Sequence, residues 1–151
     1  MKSYIGTRGF TLVELLVVIA IIGTLSSIVL ASLSTARTKA FDVKVKAQLL
    51  NIRTAAGVYQ ATNGDYGAPF TWTGTSTGCS GGMFTDTASN LSQLSISGNY
   101  PVGENTIICN STRTAYAVSD NLAASGTYWC VDSTGTSKLE NISSTTALVC
   151  P

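Results

Sequence analysis

Arg8-Gly9-Phe10-Thr11-Leu12-Val13-Glu14 opens the longest apolar run of the chain and sets one carboxylate, Glu14, inside it. From Phe10 to Leu33 no other residue is ionisable, so the run is about 24 residues long, more than the roughly 20 that cross a bilayer as a helix. A lone carboxylate at membrane depth costs about 3 kcal/mol unless something pairs with it, which marks Glu14 as functional. Lys2 and Arg8 precede the run with no acid beside them. That asymmetry keeps a short N-terminus in the cytoplasm and places the remainder on the far side of the membrane.

The helical pattern does not stop at the end of the apolar run. Ala36, Ala40, Val43, Ala47, Leu50, Thr54, Val58 and Ala61 recur at steps of three and four, which sets them on one helical face. Val45, Leu49, Ile52, Ala56 and Tyr59 keep the same rhythm on nearly the opposite side. Arg37, Lys44, Gln48 and Asn51 lie between the stripes on one edge, Lys39, Lys46 and Arg53 on the other. A helix apolar on two faces has to be covered twice, either by its own head and a neighbouring subunit or by burial on both sides within a monomer. No proline interrupts Phe10 to Thr62, and Asn63-Gly64 supplies the residue types that end helices. Such a helix would be about 80 Å long at 1.5 Å per residue. Gly23, followed by Thr24, Ser26 and Ser27, is its weak point.

After Gly64 the pattern changes. Asn63 to Pro69 reads as a turn-rich exit and residues 71–90, rich in Thr, Ser and Gly, as a surface loop holding Cys79. Leu91, Leu94 and Ile96 fit a short helix or a bent strand. Thr106–Cys109, Ala115–Ser119 and Thr127–Val131 are short β-branched or aromatic runs between polar turns, the signature of an antiparallel meander. Asp132–Thr136 is then a turn, and a tail runs to Cys150 and Pro151. The expected class is α+β. A long N-terminal helix, membrane-spanning in its first half and amphipathic in its second, rests on a small antiparallel β-sheet head closed by disulfides. The expected division is 1–9 leader, 10–34 span, 35–62 amphipathic helix, and 63–151 β-rich head.

Charge and chemistry narrow the function. Up to Gln60 there are seven Lys or Arg against two acids, and beyond it two against six. The head is therefore mildly acidic and carries no basic patch for nucleic acid. Arg37, Lys39, Lys44, Lys46 and Arg53 read as a solvated helix flank near anionic lipid headgroups. There is no histidine, which removes the commonest general base and metal ligand. Asp120 and Asp132 lack the dense acidic spacing of a calcium loop, and no nucleophile or phosphate-loop motif is present. The expectation is a protein that is not an enzyme and takes no cofactor or metal. Four cysteines, Cys79, Cys109, Cys130 and Cys150, all fall in the exported part without a Cys-x-x-Cys pair. They read as two disulfides in an oxidising compartment, with three connectivities open.

The boundary at Gly9 resembles the processing site of type IV prepilins and type II secretion pseudopilins: a short basic leader ending in Gly, then Phe-Thr-Leu-Val-Glu-Leu and a long apolar helix. Tyr128-Trp129-Cys130-Val131-Asp132-Ser133-Thr134-Gly135 is similar to the C-terminal part of some pilin heads. The resemblance implies a pilin fold and a cut between Gly9 and Phe10 by a prepilin peptidase, with methylation of the new N-terminus at Phe10. Glu14 becomes the fifth residue of the mature chain, an assembly residue whose carboxylate pairs with the Phe10 ammonium within or between subunits. It also implies a Cys130–Cys150 loop near the C-terminus, leaving Cys79 with Cys109. The product would sit in the inner membrane as a single-pass protein. From there a platform protein and a cytoplasmic ATPase would draw it into a helical extracellular filament of identical subunits. Expected function is a structural pilin. The alternatives are a type II secretion pseudopilin and a membrane-anchored binding module that never polymerises. A secretory signal cut after Ala36 fits less well, because its core is about 7 to 15 residues long and needs no acid.

Overall fold

The computed structural model of the chain describes residues 9–72, 78–100, 107–123, 126–141 and 147–150. The chain divides between Arg37 and Thr38 into two compact units. Helix α1 (Leu12–Asn63, 52 residues) begins in the first and ends in the second.

In the first unit every described side chain is exposed, including Leu15, Ile21, Leu25 and Leu30. The helix is apolar all round here, the pattern expected of a segment that lipid or other helices cover. Hydroxyls of Thr24, Ser27 and Thr35 turn back on the backbone. Thr24 Oγ1 donates to the Ile21 carbonyl at 2.9 Å and Ser27 Oγ to the Thr24 carbonyl at 2.8 Å. Hydroxyls satisfied in this way can enter an apolar medium without an orphaned donor. Gly23 does not break the helix.

The second unit holds the head. Helix α1 stops where Gly64 adopts φ +84° and its N–H closes on the Gln60 carbonyl at 2.8 Å, a left-handed glycine cap at the expected Asn63-Gly64 pair. Short elements follow: β1 (Phe70–Trp72), a 3-10 turn at Gly82–Thr85, α2 (Leu91–Leu94), and a 3-10 turn at Ser97–Asn99. The chain then runs through β2 (Ile108–Ser111), β3 (Tyr116–Asn121), β4 (Tyr128–Asp132) and β5 (Ser137–Glu140). The five strands form one antiparallel sheet in sequence order. Register sorts its two faces. Cys109, Tyr116, Val118, Trp129 and Val131 look one way and join Val45, Leu49, Ile52 and Ala56 of α1 in the core, with Met83, Phe84 and Leu91. Asn110, Ala117, Ser119, Cys130, Asp132, Lys138 and Glu140 look the other way. The α+β class is as expected.

Three local expectations are corrected. The meander strands sit one to two residues later than the apolar runs, because Asn110 and Ser111, polar enough to read as a turn, are buried within β2. Asn110 Nδ2 reaches the Ala147 carbonyl at 3.3 Å, so the tail crosses that face of the sheet. Residues 71–90 are not simply a surface loop. Met83 and Phe84 are buried, and Phe70 packs 6.0 Å from Phe84 ring to ring. The tail after Thr136 begins with an edge strand, β5, whose Ser-Lys-Leu-Glu sequence lacks the β-branched residues that mark strands. Residues 1–8, where Lys2 and Arg8 were expected to orient the chain, lie outside the described residues.

Candidate functional site

The amino-terminal site begins with two exposed, non-helical residues. Gly9 and Phe10 precede the helix, and Phe10 is 79% exposed. Neither residue takes part in α1. Thr11 and Glu14 then close a capping box. The Thr11 N–H and Oγ1 both donate to Glu14 Oε2, at 2.8 and 2.6 Å, while the Glu14 N–H donates to Thr11 Oγ1 at 3.3 Å. The Thr-x-x-Glu spacing that encodes this box is visible in the sequence. Glu14 thus has a local partner in Thr11 at the start of α1, while Gly9 and Phe10 stand outside the helix.

In the second unit the two apolar stripes of α1 have different fates. Val45, Leu49, Ile52 and Ala56 are buried in the head and Tyr59 is half-buried there. Ala40, Val43, Ala47, Leu50, Thr54, Val58 and Ala61 are all exposed, Val43 at 66% and Val58 at 53%. One covering of a helix that needs two is thus supplied by the head, and the other face is bare.

The flanking charges are sorted in the same way, and this corrects the reading of five solvated cations. Lys46 Nζ sits 4.7 Å from the centre of the Trp129 ring. Arg53 Nη1 donates to the Gly135 carbonyl at 2.9 Å and to Ser137 Oγ at 3.0 Å, tying the helix to the β4–β5 turn. Asp42 Oδ1 accepts the Ala123 N–H at 2.8 Å. Lys39 and Lys44 stay exposed. Sequence periodicity gives the edge on which a charge lies but not the loop that comes to meet it.

Cys79 is bonded to Cys109 and Cys130 to Cys150, with Cα atoms 6.1 and 5.8 Å apart. The first ties the segment before α2 to β2, and the second ties the tail to β4. Asp132, weighed above as a calcium ligand, is occupied otherwise. Its Oδ1 accepts Thr134 N–H, Thr134 Oγ1 and Thr136 N–H at 2.9, 2.6 and 3.1 Å, and its Oδ2 accepts Cys150 N–H at 2.8 Å. Burial works to raise its pKa, but these donors outweigh it and hold the carboxyl below the usual range. Asp120 is fully buried on the opposite face of the sheet. Sulfur atoms of Cys130 and Cys150 and a carboxylate oxygen of Glu140 lie within 4.8 Å of one another, a metal-like cluster whose sulfurs are already bonded to each other.

An apolar helix long enough to cross a membrane, opened by an exposed Gly-Phe bond and a capped acid, continues into a disulfide-closed α+β head, an architecture that fits a membrane-anchored protein. Residues 6–30 match the family described as the prokaryotic N-terminal methylation motif. The chain is 42% identical over 59 residues to the type IV wide pilus major component PilA4 of Thermus thermophilus, which covers 39% of this chain and 45% of that one. It is 41% identical over 59 residues to the type II secretion system core protein G of Klebsiella pneumoniae, covering 39% of this chain and 42% of the relative. The core protein G of Pectobacterium carotovorum is 37% identical over 59 residues, 39% of this chain and 38% of its own. The chain thus spans less than half the length of each of these relatives. No solved structure matches it. Its methylation motif lies at residues 6–30, and over 59 residues it is similar both to a type IV pilus component and to type II secretion core proteins.

Proposed function

We propose that the chain is the structural subunit of a type IV pilus. In this reading a prepilin peptidase cuts between Gly9 and Phe10 and methylates Phe10, and the apolar helix holds the product in the inner membrane. A platform protein and a cytoplasmic ATPase then draw it into an extracellular filament. No catalysis is assigned to it. Three segments divide the work: 1–9 is removed, 10–34 spans the membrane and later fills the filament core, and 35–62 joins this core to the head at 63–151.

The observation that carries the reading is the bare stripe from Ala40 to Ala61, directly across the helix from the stripe that the head covers. Exposed apolar faces of this length are rarely left to water in a protein that acts alone, and identical neighbours cover such a face with repeating contacts. Glu14 supports the same reading. The Phe10 ammonium created by the cut would appear one residue before Thr11, which Glu14 already binds, and a neighbour's carboxylate and its own would compete for it.

A type II secretion pseudopilin is the second reading, favoured by the likeness to core protein G. A membrane-anchored binding module that never polymerises would keep the head and need neither Glu14 nor the bare stripe. The test is a charge on that stripe. Ala47→Glu should leave the processed protein in the membrane with its disulfides closed and abolish sheared filaments. Filaments of normal length and yield from Ala47→Glu would defeat the polymer reading.

A further inference from the structure

Glu140 is 6% exposed, and neither carboxylate oxygen has a hydrogen-bond partner among the described residues. It ends β5 on the sheet face that carries Cys130, and one of its oxygens lies within 4.8 Å of the sulfurs of both Cys130 and Cys150. A buried carboxylate without donors is costly, and burial pushes its pKa up, with Asp132 adding to the shift and Lys138 opposing it. Tyr128 is its register partner on β4. From β3 the same face presents Ser119 and Asn121, which do not titrate. The second acid on this face, Asp132, has its oxygens filled by four donors and is a poor base. Cys130 is fully buried in the closed disulfide, so the base nearest its sulfur is the Glu140 carboxylate rather than one dissolved in water.

We propose that Glu140 is the internal proton acceptor for closure of the Cys130–Cys150 disulfide, and the proton donor when a thiol opens it. Closure begins when an external disulfide such as glutathione disulfide exchanges with Cys150, giving a mixed disulfide and one free glutathione. The Cys130 thiol passes its proton to the Glu140 carboxylate as its sulfur attacks the Cys150 sulfur. The Cys150–glutathione bond breaks, the glutathione thiolate leaves, and Glu140 returns the proton to it. Two thiols and one glutathione disulfide become one protein disulfide and two glutathiones. Opening by a thiol runs the same path backwards. The need is greatest near neutral pH and below, where a thiol of ordinary pKa near 8.5 is only about 0.3% ionised at pH 6.

The test uses the full chain in detergent, with both disulfides reduced by a phosphine that is then removed, in the presence of a chelator. Glutathione disulfide is added, and acid quench, alkylation and peptide mass follow each pair separately. At pH 6, Glu140→Gln should close Cys130–Cys150 about a hundredfold more slowly than wild type, the lower end of what a positioned general base contributes. The gap should narrow to less than about twofold at pH 9, where the thiols ionise unaided. Cys79–Cys109 should close at the wild-type rate throughout, and Glu140→Asp should restore part of the loss. Equal or faster closure of Cys130–Cys150 in Glu140→Gln at pH 6 overturns the proposal, because an acid there would then act only by repelling the thiolate. So does equal slowing of both disulfides, which would mark a folding defect.

Discussion

Thr11 and Glu14 complete each other's hydrogen bonds at the start of α1, with both Thr11 donors on a single carboxylate oxygen. The acid that would be expensive at membrane depth is therefore also the acid that starts the helix. The two roles separate by mutation. Thr11→Val removes the hydroxyl and should loosen only the first turn, at about 1 kcal/mol. Glu14→Ala also removes the charge that the Phe10 ammonium would pair with. Processed protein should accumulate in the membrane in both variants, while sheared filaments should fall at least tenfold only in Glu14→Ala. Filament yield by immunoblot of the sheared fraction checks this, and equal yields would reduce Glu14 to a cap.

The two stripes of α1 should respond oppositely to truncation. Leu49 is fully buried among sheet and helix residues, so Leu49→Ala should destabilise the head by about 2–5 kcal/mol. Leu50, one residue on and turned to the bare face, should change head stability by less than about 0.5 kcal/mol when replaced by Ala. Denaturant unfolding of the full chain in detergent, followed by Trp fluorescence, measures both.

Buried carboxylates on the outer sheet face set opposite slopes of stability with pH. Asp132 has a lowered folded pKa, so its contribution is present above the unfolded value near 3.9 and is lost as pH falls through the folded value. Glu140 has a raised folded pKa, so its protonated form favours folding below about 4.3, and that contribution is lost as pH rises through the folded value. Thermal unfolding with disulfides intact should therefore show a maximum in mild acid. Asp132→Asn should flatten the acid limb and Glu140→Gln the alkaline one.

Arg53 and Lys46 anchor the helix to the far strands of the head through the β4–β5 turn and the Trp129 ring. Arg53→Met keeps the apolar stem and loses two hydrogen bonds, and should cost about 1–2 kcal/mol. Amide exchange should quicken at Gly135–Ser137 and remain unchanged around Cys79. Quickening spread evenly over the head would mean that the turn is held by something else.

Most of the helix was legible because its signals are local and repeated. The apolar run, the absence of proline, the two stripes and the Asn63-Gly64 stop each depend on neighbours within a turn or two. The capping box was equally local, in Thr11-Leu12-Val13-Glu14. Head details were harder because they depend on what lands on each strand. Asn110 reads as a turn residue until the tail supplies the Ala147 carbonyl, and Ser137–Glu140 becomes a strand only because β4 offers it an edge. Likewise nothing in the periodicity of Lys46 and Arg53 announces Trp129 or Gly135, which are distant in sequence. Glu140 was invisible as a site for the same reason, since only the fold brings it to the sulfurs of Cys130 and Cys150.

The most direct test is electron microscopy of filaments sheared from cells expressing the chain, with intact-mass analysis of their subunit. A helical filament whose subunit begins at a methylated Phe10 is the predicted result. A subunit that keeps Met1, or starts beyond the apolar run, or is missing from every filament while the protein stays in the membrane, would contradict it.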